Sequence, residues 1–265
     1  MLAETDAGLA LTGLALALGA TTLVWLLSLF RRDASIIDVF WGLGFVLLAW
    51  AYRSQVSVES FRQTLVPLLV TVWGVRLSVH IFLRNRGLGE DYRYVKMRRR
   101  YGSRFPALSL VIVFWLQAVL LWIVAWPLLG VQIHPRPDSW TVFDVLGLCL
   151  FGCGLFFEAV GDAQLVRFKA DPANRGRVMD RGLWRYTRHP NYCGDFLVWW
   201  GLYLVAREGH GTWWTIVGPL VMSFLLIRVS GVAMLETTIT SRRPGYPEYI
   251  RRTGAFFPRP PRRLP

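Results

Sequence analysis

Residues 108–133 read LSLVIVFWLQAVLLWIVAWPLLGVQI, without a single charged side chain. A helix needs roughly 20 apolar residues to cross a bilayer core of about 30 Å, and this run exceeds that length. On either side lie comparable runs near residues 8–30, 36–52, 62–83, 141–165, 191–206 and 213–235, of which the second and sixth spans along the chain, 36–52 and 191–206, are short and carry polar residues. Within lipid each span must satisfy its own backbone hydrogen bonds, which at this composition only helices do. The chain of 265 residues is 54% hydrophobic, with a mean hydropathy of +0.37. The expected fold is an all-α integral membrane bundle of about seven transmembrane helices. It forms one membrane domain, 1–265, with helices one to four in residues 1–133 and helices five to seven plus a tail in residues 134–265. Of 13 tryptophans, Trp25, Trp50, Trp122, Trp140, Trp213 and Trp214 fall near span ends, where an aromatic belt places them.

Glu4 and Asp6 stand where a signal peptide carries basic residues, and the following apolar run is too long for one. The first span is therefore read as retained. Cys149 and Cys153 lie one turn apart in an apolar helix and Cys193 stands alone, so no disulfide framework or cysteine zinc site is implied. The four histidines show no ligand spacing, and no metal is expected; His134 and His210 fall in sparse outer loops.

The net charge of +13 points to membrane orientation and headgroup contact rather than to nucleic acid. Eight Arg or Lys residues lie between Arg84 and Arg104, seven between Arg167 and Arg188, and seven between Arg242 and Arg263, whereas alternate connections carry only Arg53 and Arg62, Arg136, and Arg207. By the positive-inside rule the N-terminus is outside and the C-terminus cytoplasmic, which an odd number of spans satisfies.

Ionisable groups inside a span are costly and usually face a cavity or one another. Here they gather near the basic ends. Arg76, His80 and Arg84 share a face of the third span, and Glu158 and Asp162 a face of the fifth, with Lys169 beyond. Asp38 begins the second, Asp195 follows Asn191 by one turn in the sixth, and Arg228 and Glu236 lie two turns apart in the seventh. Together they suggest the wall of a cytoplasmic cavity. The plainer account is a set of private pairs, such as Arg76 with Asp38 or Arg228 with Glu158; Gln117 and Asp144 belong to that structural class.

The most specific stretch is Gly182-Leu183-Trp184-Arg185-Tyr186-Thr187-Arg188-His189-Pro190-Asn191-Tyr192-Cys193-Gly194-Asp195. Arg185, Arg188 and His189 crowd a short loop before a helix that starts at Pro190, a favoured first helical residue. A helix N-terminus with basic neighbours suits an anion. Asn191 adds a donor and an acceptor and Asp195 an acceptor, a set that suits a phosphorylated, amide-bearing or ribose-bearing cofactor.

That run resembles the cofactor-binding signature of the steroid 5α-reductase family, and more closely its bacterial branch. Glu158-x-x-x-Asp162-x-Gln164, Leu235-Glu236, Arg242-Arg243-Pro244-x-Tyr246-x-x-Tyr249 and Phe256-Phe257-Pro258-Arg259-Pro260 support the likeness. So do Asp38-x-x-Trp41-Gly42 and Arg84 with Glu90-Asp91-x-Arg93-Tyr94. The resemblance implies a seven-helix reductase of the bacterial inner membrane that holds NADPH in a cytoplasmic cavity. Asn191 and Asp195 match residues at the nicotinamide end. Asp162, Lys169 and Arg177 match positions toward the adenosine and phosphates. Arg228 matches a basic residue of the last helix, and Tyr246 and Tyr249 match a closing tail. Glu158, Arg185, Arg188, His189, Tyr192 and Glu236 complete the candidate cofactor set. Asp195 stands where the family usually has Glu, and the family's Gln-Glu pair on the second helix is here Ile37-Asp38.

The activity so implied is hydride transfer to the β-carbon of an α,β-unsaturated carbonyl in a small lipophilic, steroid-like or isoprenoid substrate. The cofactor brings the reducing power and the protein must polarise the acceptor. A carbonyl gaining charge needs a close donor, for which the candidates are Asp38 in its protonated form, His80 and Tyr94. Membrane methyltransferases that use S-adenosylmethionine share an Arg-His-Pro-x-Tyr-x-Gly turn and are the alternative enzyme class; a transporter or non-catalytic membrane protein is the third reading.

Overall fold

The computed structural model describes residues 6–57, 60–133, 139–208, 211–229 and 244–262. Its helices are α1 (Asp6–Arg31), α2 (Ile36–Arg53), α3 (Arg62–Asn85), α4 (Tyr92–Tyr101), α5 (Phe105–Ser109), α6 (Leu116–Val124), α7 (Trp126–Ile133), α8 (Val142–Ala170), α9 (Pro190–Ala206), α10 (Val217–Phe224) and α11 (Tyr246–Arg252). Among the described residues, six helical stretches are long and apolar enough to cross a membrane: Asp6–Arg31, Ile36–Arg53, Arg62–Asn85, Tyr92–Val124, Val142–Ala170 and Thr212–Val229. The protein is thus an all-α integral membrane protein. Helix α9, with 17 residues, is about 25 Å long at the usual rise and does not by itself reach across a core of about 30 Å.

Two local features depart from the expected spans. The run 108–133 is divided at Ala125, after which Trp126 opens α7 with Pro127 in its first turn. Proline has no N–H to continue the ladder and its ring clashes with the preceding turn, so α6 ends where Pro127 forbids a longer helix. The basic stretch after α3 contains a helix of its own, α4. Asp91 caps it by accepting from the Arg93 N–H at 2.9 Å, and Gly102, at φ 55, ends it in a conformation that glycine adopts without strain. Between α5 and α6 the chain is wound as a π-helix over Leu110–Trp115.

The helices fall into two compact units, Met1–Ser139 with Ala206–Gly218, and Trp140–Val205 with Pro219–Pro265. The first unit thus takes in Ala206–Gly218 from later in the chain. That segment joins the first unit through Trp214, whose ring lies 5.4 Å from that of Trp126, and through Gly218, where an added Cβ would meet the Val124 carbonyl at 2.7 Å.

Small residues set the helix crossings in each unit, as expected where no hydrophobic force drives helices together in lipid. In the first, α2 and α3 touch at Gly42 and Gly74, whose added Cβ atoms would lie 2.4 and 2.5 Å from each other's carbonyl oxygens. Phe45 and Trp73 pack edge-to-face nearby, 5.7 Å apart. In the second, Thr141 and Asp144 form a reciprocal capping box at the start of α8, which gives Asp144 the structural role expected of it. Helix α8 meets α9 at Gly154 and Gly194, and again at Gly147 and Gly201, at backbone contact distance.

Candidate functional site

Of the three candidate catalytic residues, the structure joins two. Asp38 lies in the first turn of α2. Its Oδ2 accepts from Arg93 Nη2 at 2.6 Å and its Oδ1 from the Tyr94 hydroxyl at 2.9 Å. Arg93 also donates through Nε to Asp91 at 2.9 Å, so one guanidinium stands between two carboxylates. A second pairing runs alongside: Glu90 Oε1 accepts from the Ala34 N–H at 2.8 Å, and both its oxygens bind Arg98, at 2.7 and 3.0 Å. These contacts fasten α4 to the α1–α2 turn. The Tyr94 ring is buried with Ala34, Ile37, Phe105, Val113 and Phe114, which fixes the phenol and leaves its hydroxyl to reach Asp38. Burial alone would raise the Asp91 carboxyl, but hydrogen bonds from Arg93 and that residue's charge hold it below the usual carboxylate range. His80 is half-buried on α3 and is itself engaged by neighbouring groups.

Arg93 is the residue that sequence reasoning passed over. It was visible as a family-like position, but only the fold reveals that Asp38 pairs with it instead of with Arg76.

In the second unit the candidate residues surround the start of α9. Asn191 Nδ2 donates to Asp162 on α8 at 3.3 Å. Glu158 is buried one turn earlier, under Gly194, where a Cβ would meet its Cγ at 2.7 Å. Asp195 is half-buried one turn beyond Asn191. His189 stacks on Tyr192 with ring centroids 5.5 Å apart and planes 9° apart. The loop before α9 is built against α8: Gly182, at φ 58, lets the Leu183 N–H reach Gln164 Oε1 at 3.0 Å, and Trp184 Nε1 donates to the Gly161 carbonyl at 3.0 Å.

The same loop anchors the C-terminal segment. Arg188 Nη1 donates to the carbonyls of Thr253 and Ile250, at 2.5 and 3.1 Å, and its N–H to that of Gly254 at 2.9 Å. Thr187 Oγ1 donates to the Phe256 carbonyl at 2.7 Å. The Tyr249 hydroxyl donates to the Trp184 carbonyl, and Tyr246 packs beside Tyr249. Arg188 is therefore a buried clamp on the tail.

Between the end of α8, the loop and the tail opens a cleft of about 1210 Å³. Arg177, Arg181, Arg185, Arg252 and Arg262 line it, against only Asp180 and Glu248 among the acids. Arg177, Arg185 and Tyr249 were expected in a cofactor site; Arg181, Arg252 and Arg262 were not, because a tail arginine gives no local sign of what it folds beside. Lys169 is exposed at the end of α8, and Arg228 is exposed on the π-wound segment Leu225–Val229. Glu236, His134 and His210 lie outside the described residues. Among the described residues no group of three or more His, Cys, Asp or Glu could hold a metal ion.

Comparison with known proteins places residues 24–253 in a match to the family described as "Protein of unknown function (DUF1295)". The chain is also similar to an uncharacterized protein of Schizosaccharomyces pombe, C594.04c, at 26% identity over 280 residues, covering 93% of this chain and 79% of that protein. No solved structure matches.

Proposed function

The chain belongs to the DUF1295 family, and we propose that it is a membrane-embedded, NADPH-dependent reductase acting on the C=C bond of an enone in a lipophilic substrate. In this reading α9 is a seventh span, which puts the N-terminus outside and the basic loops in the cytoplasm of a bacterial cell. The observation that carries the reading is the cleft lined by five arginines. Guanidinium groups bind phosphates bidentately, and a cofactor with a pyrophosphate and a 2′-phosphate uses such a surface fully. S-adenosylmethionine carries no phosphate and gives no reason for it.

When bound, NADPH supplies the hydride. Arg177, Arg181 and Arg185 are suited to its phosphates, and Asn191, placed by Asp162, to its amide. Taken by itself, the first unit offers the Tyr94 hydroxyl as a proton donor. Asp38 accepts from both the Arg93 guanidinium and the Tyr94 phenol and so holds that hydroxyl in place. Rotation about the Cζ–Oη bond frees that hydroxyl for an acceptor oxygen held in the same unit. The proton then passes from Oη to that oxygen, and Arg93, with its guanidinium 5.3 Å from the Tyr94 ring centroid, stabilises the phenolate until solvent restores it.

Isothermal titration of the purified protein in detergent with NADPH, NADH and S-adenosylmethionine tests this. Binding of NADPH that weakens in Asn191→Ala and Arg185→Ala supports it. Binding of S-adenosylmethionine with no response to NADPH overturns it in favour of methyl transfer.

A further inference from the structure

A second pocket, of about 310 Å³, lies in the first unit between the end of α1 and the α4–α5 corner. Leu29, Phe105 and Pro106 give it apolar walls, and Arg32 and Arg98 are its two charged lining residues. Ser28 and Ser109 also line it, but their hydroxyls donate to the carbonyls of Trp25 and Pro106 in their own helices. Arg98 uses Nε and Nη2 on Glu90, which leaves Nη1 uncommitted among the described residues. Arg32, directly after α1, takes a left-handed backbone conformation at φ 52.

We propose that this pocket holds one anionic phospholipid of the surrounding bilayer, its phosphate between Arg32 and Arg98. The position agrees with the chemistry. Arg31 ends the first membrane helix, Arg32 follows it, and Arg98, Arg99 and Arg100 lie in the last turn of α4, so the pocket sits at the basic, headgroup level of the protein. Below it the surface is apolar and exposed at Leu26, Leu27, Phe30 and Val111, a track for acyl chains. A free phosphate would leave the apolar walls wet, and a zwitterionic lipid would bring its own cation to the two guanidinium groups. The proposal does not depend on the reductase reading. It adds that a lipid phosphate on Arg98 touches the residue one helical turn from Tyr94.

The test is native mass spectrometry of the full chain released from nanodiscs of mixed phosphatidylglycerol and phosphatidylcholine, with thermal shift on adding each lipid back to delipidated protein. One phosphatidylglycerol per chain is expected to survive release, and Arg32→Ala to weaken its retention roughly fivefold, the effect of one surface arginine. Arg31→Ala, which removes the same charge from a residue that does not line the pocket, is the control and should retain it. Leu29→Trp, filling the pocket from its exposed rim, should expel the lipid while keeping the protein monodisperse. Equal retention of phosphatidylcholine, equal loss in Arg31→Ala and Arg32→Ala, or full competition by millimolar inorganic phosphate each overturns the proposal.

Discussion

The Tyr94 hydroxyl donates to Asp38 Oδ1 at 2.9 Å across 56 positions of sequence. The other carboxylate oxygen is held by Arg93 at 2.6 Å, so a tyrosine and its neighbouring arginine close on one acid from the same turn of α4. The acid is held by a guanidinium on one oxygen and by a phenol on the other.

Tyr94→Phe keeps the ring in its apolar cluster and removes only the hydroxyl. Stability should fall by about 1 kcal/mol, the net value of one hydrogen bond. Turnover of an enone lipid, followed as NADPH oxidation, should fall by about 10²-fold or more, the range of a lost general acid. NADPH affinity should not change. A Tyr94→Phe enzyme with full turnover would remove Tyr94 from the chemistry without touching cofactor binding.

Asp91 gives a pH dependence whose sign follows from Arg93. The pairing holds the Asp91 carboxyl below its usual range, so the unfolded chain binds the proton first as pH falls. The stability this pairing contributes is complete above the ordinary carboxylate range of about 4 and is lost as pH drops through the lowered folded value. Melting temperature in detergent should stay level from about pH 7 to 5 and then decline. Asp91→Asn should flatten part of that acid limb. An unchanged limb would assign the acid sensitivity to other carboxylates.

The α8–α9 crossing predicts a contrast between two glycines of the same helix. An added methyl at Gly154 would stand 2.5 Å from the Gly194 carbonyl, whereas one at Gly152 meets nothing within 4 Å. Gly154→Ala should therefore force the helices apart at a cost of roughly 1–3 kcal/mol. Gly152→Ala should be neutral or stabilising by about 0.5–1 kcal/mol, since alanine restricts the unfolded chain. Thermal unfolding of the two variants side by side measures the difference. Similar melting temperatures would mean that the crossing is not tight.

Six spans were legible because apolar length is a one-dimensional property; the expected run 191–206 is helical as α9 but too short to count among them. The break in the fourth, at Ala125 before Pro127, was not expected from the unbroken apolar run. Asp38 and Tyr94 were each marked by chemistry, a carboxylate in a membrane helix and a tyrosine beside a family-like Arg93. Their pairing was not marked, because a separation of 56 positions carries no sign of which turns meet. The cleft shows the same limit more sharply. Arg177 and Arg185 stand near the conspicuous loop, but Arg252 and Arg262 join them only because the tail folds back. Arg188 shows it too: its place in a basic loop suggested a ligand for an anion, and only the fold shows its guanidinium on backbone carbonyls of the tail.

That tail contact carries the last prediction. Arg188 is only 7% exposed, and its Nη1 serves the carbonyls of Thr253 and Ile250 together. Arg188→Ala leaves both carbonyls without that donor in a buried site, at about 1–3 kcal/mol each for the fraction that water does not reach. Release of the tail relieves that cost, because it returns both groups to solvent. Residues 244–262 should then detach locally, and trypsin should cut at Arg251 and Arg252 much faster than in the wild-type protein while the membrane helices stay intact. Since Arg252 and Arg262 line the cleft, NADPH affinity should fall in parallel with the gain in cleavage, and saturating NADPH should slow the cut in the wild type. Arg188→Lys, which keeps the charge but not the planar donor geometry, should be intermediate. Rapid loss of NADPH affinity in Arg188→Ala with no change in proteolysis would instead put Arg188 in direct contact with the cofactor.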